Sequence, residues 1–129
     1  MALLLDTHAF IWWADAPERL PPDLTARLSD PDETLLLSIA SLWEMRIKIG
    51  LGKLAMQRPL RVVVEEQQAE NGIVLLDIAP RHIWALDALP AAHGDSFDRL
   101  LIAQAHSDEL TLVSHDALFD AYPVRRLWR

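Results

Sequence analysis

Ala2-Leu3-Leu4-Leu5-Asp6-Thr7 opens the chain with a short, unbroken apolar run that stops at an acid. Such a run, without polar alternation, reads as a strand buried on both faces. The same pattern returns at Thr34 to Leu37, at Ile73 to Leu76 before Asp77, and at Thr111 to Ser114 before Asp116. Val124 is positioned to start a short fifth strand.

Between these runs lie helical periodicities with start and stop residues. Thr7 is placed to cap a helix through Ile11, Trp12 and Trp13 that ends by Pro17, and Pro21-Pro22 opens a second with Leu24 and Leu28 on one face. Ser38 or Ser41 starts a helix carrying Leu42, Trp43, Met45, Ile47 and Ile49 up to Gly50. Pro59 to Asn71 is closed by Gly72, Pro80 begins a helix through Leu89, and Phe97 to His106 follows a loop at residues 91–96. Strands alternating with helices at this spacing imply right-handed crossovers. The expected fold is therefore a three-layer α/β/α sandwich around a central parallel sheet of four to five strands. No linker or repeat divides the 129 residues, so 1–129 reads as a single domain.

Composition narrows the chemistry. There is no cysteine, which removes disulfides, thiolate catalysis and Cys-ligated metals and fits a reducing, cytoplasmic setting. Residues 1–14 lack a basic start and are interrupted by Asp6 and His8, so neither a signal peptide nor a membrane span is expected. The net charge of −7 argues against holding nucleic acid by bulk electrostatics, but the charges are segregated. No acid lies between Glu44 and Glu65, whereas Arg46, Lys48, Lys53, Arg58 and Arg61 do, and Arg125, Arg126 and Arg129 form a second basic group. Either segment reads as a solvated face or as a phosphate-binding surface.

Four acids carry the functional reading: Asp6 and Asp116 after strands, Glu44 and Asp98 on helices. In a parallel sheet the ligand crevice lies outside the carboxyl ends of the strands, so these acids converge on one edge. Carboxylates gathered there repel unless a cation joins them, and oxygen donors suit hard divalent ions such as Mg²⁺ or Mn²⁺. Each acid also has a plainer role. Asp6 and Asp116 suit turns or caps, Ser41 to Glu44 matches a capping box, and Asp95 can cap the helix on which Asp98 meets the dipole.

Four segments, Leu4-Leu5-Asp6-Thr7-His8, Ser41-Leu42-Trp43-Glu44 with Lys48 and Gly52-Lys53-Leu54, His93-Gly94-Asp95-Ser96-Phe97-Asp98-Arg99-Leu100-Leu101-Ile102-Ala103, and Leu112-Val113-Ser114-His115-Asp116, resemble the PIN-domain ribonucleases. More narrowly they are similar to the VapC toxins of bacterial toxin–antitoxin pairs, over nearly the whole chain and in order. The resemblance implies a metal-dependent endoribonuclease held inactive by a cognate antitoxin. By position, Asp6, Glu44, Asp98 and Asp116 match the family's acidic quartet, with Asp6, Asp98 and Asp116 as ligands of Mg²⁺ or Mn²⁺. Ser96 stands where Pro is common and Ser114 where Thr is usual. Thr7, Ser41 and Ser114 have hydroxyls that can orient acids or water, though Thr7 and Ser41 serve equally as caps.

Lys48, Lys53 and Arg58 are the candidate RNA contacts. His8, His93 and His115 lack metal-ligand spacing and read as loop or substrate contacts. Trp12, Trp43 and Trp84 sit on apolar stripes and read as core, while Trp13 and Trp128 read as exposed anchors for a partner. A homodimer is expected, as cyclic dimers are the commonest soluble assembly. Two other functions compete. A phospho-acceptor domain would use Asp77, but needs a late lysine and the chain has none after Lys53. A non-catalytic RNA- or protein-binding module would leave the acids without purpose. A dinucleotide enzyme lacks its glycine-rich turn.

Overall fold

The computed structural model describes residues 2–90 and 94–128. Strands β1 (Ala2–Leu5), β2 (Thr34–Ser38), β3 (Val74–Leu76), β4 (Thr111–Val113) and β5 (Arg125–Leu127) form one sheet in the order β3-β2-β1-β4-β5. Every neighbouring pair is parallel. Between them run α1 (Thr7–Asp15), α2 (Pro22–Leu28), α3 (Ile39–Gly50), α4 (Leu60–Asn71), α5 (Pro80–Ala85) and α6 (Ser96–Ser107).

The leucine runs are continuous because both sheet faces are covered. Leu3, Leu5, Leu35, Leu37 and Val113 join a core with Phe10, Leu24, Met45 and Val63. The alternate residues Leu4, Leu36 and Leu112 join a second core with Leu101, Ile102 and Phe119. The three inner strands β1, β2 and β4 thus supply apolar side chains to two layers, which is the expected three-layer architecture with five strands. None of the described helices is long and apolar enough to cross a membrane.

Local signals set most boundaries and misplaced a few. Gly72 ends α4 at φ 66°, a conformation glycine adopts without steric cost. Asp6, not Thr7, caps α1, its side chain accepting from the Ala9 N–H at 2.8 Å. Ser38, not Ser41, caps α3, its hydroxyl accepting from Ala40 N–H. Glu44 therefore lies too far into the helix to form a capping box. The Pro80 helix stops at Ala85 and tightens into a 3₁₀ turn over Leu86–Ala88.

The tryptophan readings need correction. The buried face of α3 carries Ala40, Ser41, Glu44 and Met45, which turns Trp43 outward to 61% exposure. On α5 the buried residue is His82, and Trp84 two places on is 69% exposed. Trp12, Trp13 and Trp128 are all partly buried against the first core, neither sealed inside it nor projecting freely.

Candidate active site

The chain leaves β1 toward β2 on one side and returns through α6 to β4 on the other, so the strand order reverses between β1 and β4. A crevice opens at such a switch point beyond the carboxyl ends of the two strands. Asp6 follows β1 directly, and its N–H extends the ladder to Val113 O at 3.0 Å. Asp116 follows β4, caps the 3₁₀ turn Ala117–Ala121 through Leu118 N–H, and donates its own N–H to Ser114 Oγ at 3.0 Å. Asp6 and Asp116 line one cavity of about 490 Å³ with His8, Trp12 and His115.

Burial pushes the Asp6 carboxyl above its ordinary range. Hydrogen bonds from Ser114 and Ala9 and the nearby His8 oppose the rise, and the charge of Asp98 adds to it. Asp98 is half-buried in the first turn of α6, whose cap is Asp95, accepting from Asp98 N–H at 2.9 Å. The two acids are thus near enough to repel, although 92 positions of sequence divide Asp6 from Asp98.

Glu44 reaches this region from α3. Thr7 Oγ1 donates to its Oε1 at 2.6 Å and Lys48 Nζ to its Oε2 at 2.7 Å. The bond to Glu44 is the main cause of a raised Lys48 ammonium, with Asp95 and Asp98 adding attraction. Lys48 therefore offsets part of the charge of the acids on α6 while bonded to Glu44 of its own helix. Beside Glu44, Ser41 Oγ is buried with no hydrogen-bond partner among the described residues.

The donors here are carboxylates and hydroxyls, a set that suits a hard divalent cation. Among the described residues, no three His, Asp or Glu side chains gather closely enough to form a finished metal cage. The repulsion felt by Asp6 and the unpartnered Ser41 hydroxyl show polar groups whose bonding is incomplete within the protein alone. In charge and donor type these residues fit Mg²⁺ or Mn²⁺.

The three candidate RNA contacts separate. Lys48 is committed to Glu44, and Arg58 pairs with Glu66 of α4. Lys53 is exposed after the turn at Gly52 and makes no ion pair among the described residues. His93 lies outside the described residues. Asp77 is exposed at the end of β3, the edge strand, two strands from β1, which separates a phospho-acceptor there from Asp6. Arg126, read from sequence only as part of a basic group, pairs with Asp120 and donates to Ser114 O at 3.1 Å, bracing the turn before Asp116. The Glu44–Lys48 pair was legible as an i,i+4 spacing; the Arg126 contact had no local signal.

A PIN-domain family model matches residues 3–124. The chain belongs to the PIN-domain family. This PIN domain is 29% identical over 119 residues to Ribonuclease VapC22 of Mycobacterium tuberculosis, covering 88% of this chain and 86% of the relative. Its fold matches VapBC2 from Rickettsia felis bound to a DNA fragment from their promoter, with TM-score 0.76 and 15% identity over 98% of each chain. VapBC-1 from nontypeable Haemophilus influenzae gives 0.68 and 17% over 98% of this chain and 97% of that one. The expected likeness of this PIN domain to the VapC type holds in both sequence and architecture.

Proposed function

We propose that this PIN domain is a divalent-metal-dependent endoribonuclease and the toxin of a toxin–antitoxin pair, residues 1–129 forming one catalytic unit that acts in the cytoplasm. The observation that carries the reading is the convergence of Asp6 and Asp116 on one cavity at the switch point, with Asp98 close enough to disturb Asp6. The similarity to a protein named a ribonuclease supports RNA as the substrate.

Asp6, Asp98 and Asp116 would hold Mg²⁺ or Mn²⁺, which when bound lowers the pKa of water and offsets charge on the phosphate. Ser114 fixes the Asp6 carboxylate, and Thr7 and Lys48 fix Glu44 so that it keeps one orientation beside the cavity. The Ser41 hydroxyl is free to hold a water near Glu44. Lys48 and Lys53 bring positive charge to a strand that the net charge of the chain would otherwise repel.

A cognate antitoxin is supported by the VapBC assemblies whose fold this chain shares. An apolar groove of about 740 Å³ between α3 and α4, lined by Leu42, Trp43, Leu60 and Val64, suits an amphipathic segment of such a partner. Self-association into a homodimer is the accompanying reading, tested by light scattering at micromolar concentration, where a strict monomer removes it.

The deciding experiment incubates purified, partner-free protein with total RNA, with Mg²⁺, Mn²⁺ or chelator, and sequences the new ends. Discrete metal-dependent cuts that vanish in Asp6→Asn are expected. No cleavage with either metal would leave only a non-catalytic binding module, and unchanged cuts in Asp6→Asn would remove the acid cavity as the place of cleavage.

A further inference from the structure

Beside the acid cavity lies a second, aromatic one. It measures about 770 Å³ and is lined by Trp12, Arg19, Asp23, His115 and Trp128 together with apolar residues of the α1–α2 connection. Three rings from distant parts of the chain meet there: Trp12 on α1, His115 after β4 and Trp128 after β5. Their centroids lie 6.1 Å apart for Trp12 and His115, 5.7 Å for Trp12 and Trp128, and 5.3 Å for His115 and Trp128, all edge to face. The Arg19 guanidinium sits 5.5 Å from the Trp12 ring centroid and makes no ion pair among the described residues.

Ordinary core packing accounts for only one side of this cluster. Trp12 and Trp128 rest on the first core, but His115 and Arg19 are exposed and the cavity between them is open. Trp12 and His115 are walls of both cavities, so the aromatic chamber and the acid chamber are neighbours. A ligand spanning them needs an anionic centre for the acid side, where a metal would sit, and a flat group for the other. The cavity that these rings line is open and large enough for a planar ring, and a guanidinium and a carboxylate at the rim match its polar edge. A nucleotide has that composition.

We propose that Trp12, His115 and Trp128, with Arg19 and Asp23 at the rim, form a pocket for one unpaired nucleobase of the strand whose phosphate enters the acid cavity. The proposal rests on the ribonuclease reading and adds to it a substrate requirement: the cut lies next to a base that is free to leave its stack. Base-paired RNA would have to open at that one position before the base could enter.

The test measures fluorescence anisotropy of a labelled, mixed-sequence single-stranded RNA and of the same sugar–phosphate chain without bases, with Ca²⁺ in place of Mg²⁺ and a gel to verify that the strands stay intact. Wild type should bind the base-bearing strand about ten-fold or more tightly than the abasic one, the order expected of base–aromatic stacking. Trp128→Ala should abolish that preference, Trp128→Phe should retain most of it, and His115→Ala, at an exposed position, should weaken it without disturbing the fold. In cleavage assays Trp128→Ala should raise KM far more than it lowers kcat. Wild type that cuts RNA but binds both strands equally, or a folded Trp128→Ala that keeps the preference, overturns the pocket and leaves the nuclease standing. Loss of partner binding in Trp128→Ala with the strand preference intact makes the cluster a protein contact and also overturns it. Protein that neither binds nor cuts RNA removes the ribonuclease reading itself, and the pocket with it.

Discussion

Thr7 and Glu44, 37 positions apart, are joined by a 2.6 Å hydrogen bond that ties the start of α1 to the middle of α3. It gives the buried Glu44 carboxylate a fixed donor on the residue next to Asp6. Thr7→Val keeps the side-chain shape and removes that donor. The variant should lose about 1–3 kcal/mol in urea unfolding, the cost of leaving a buried acceptor short of a partner. Its RNA cleavage should fall as well. Stability equal to wild type would show that Lys48 alone satisfies Glu44.

Asp108 offers a pH-dependent check on the opposite end of the molecule. Arg81 binds it through two nitrogens at 2.9 and 3.0 Å, and His82 Nε2 lies 3.0 Å away. The Arg81 guanidinium first, and His82 after it, hold the Asp108 carboxyl well below its ordinary value of 3.8. A depressed carboxyl stabilises the fold above its unfolded pKa, and the contribution is lost as pH falls through the folded value. Asp108→Asn should therefore cost about 1–2 kcal/mol at neutral pH, discounted because Arg81 is largely exposed. The gap from wild type should close below pH 3.8 as the native carboxylate takes up its proton. A gap that stays constant across that range would assign the loss to packing and not to charge.

The centre of the sheet was legible because β1, β2 and β4 are buried on both faces, so Leu3-Leu4-Leu5 and its counterparts carry the signal in a few adjacent residues. The order in which the strands assemble then brings Asp6 and Asp116 to one cavity. Contacts made across the fold were not legible. Ser38 and Ser41 are equally good caps in isolation, and only the end of β2 selects Ser38. Trp43 fits an apolar stripe until the buried polar side chains of Ser41 and Glu44 claim the inner face. Arg58 reads as a phosphate contact until α4 supplies Glu66.

The basic segment should act through Lys53 more than through its neighbours. Lys48 and Arg58 are matched by Glu44 and Glu66, whereas Lys53 is exposed and makes no ion pair among the described residues. Lys53→Gln should lower the slope of log K against log salt for single-stranded RNA by about 0.7, one phosphate contact. Arg58→Gln should leave the slope nearly unchanged. Equal slopes for wild type and Lys53→Gln would make Lys53 a solvated charge.

Asp98 couples stability to metal binding. Its charge raises the Asp6 carboxyl, which is the mark of repulsion between the two acids in the protein alone. Asp98→Asn removes that repulsion but also gives up a favourable charge in the first turn of α6, worth about 0.3–1 kcal/mol. The two effects oppose each other, so the metal-free variant should melt close to the wild-type temperature. If Asp98 is a ligand, Mg²⁺ should raise the melting temperature of the variant less than that of wild type, because stabilisation follows binding. Cleavage should fall by orders of magnitude, since water activation and charge neutralisation depend on the same ion. Thermal melts with and without Mg²⁺, beside an RNA cleavage assay, separate the possibilities. A variant that is destabilised in both conditions yet cuts RNA at the wild-type rate would reduce Asp98 to a helix-dipole residue.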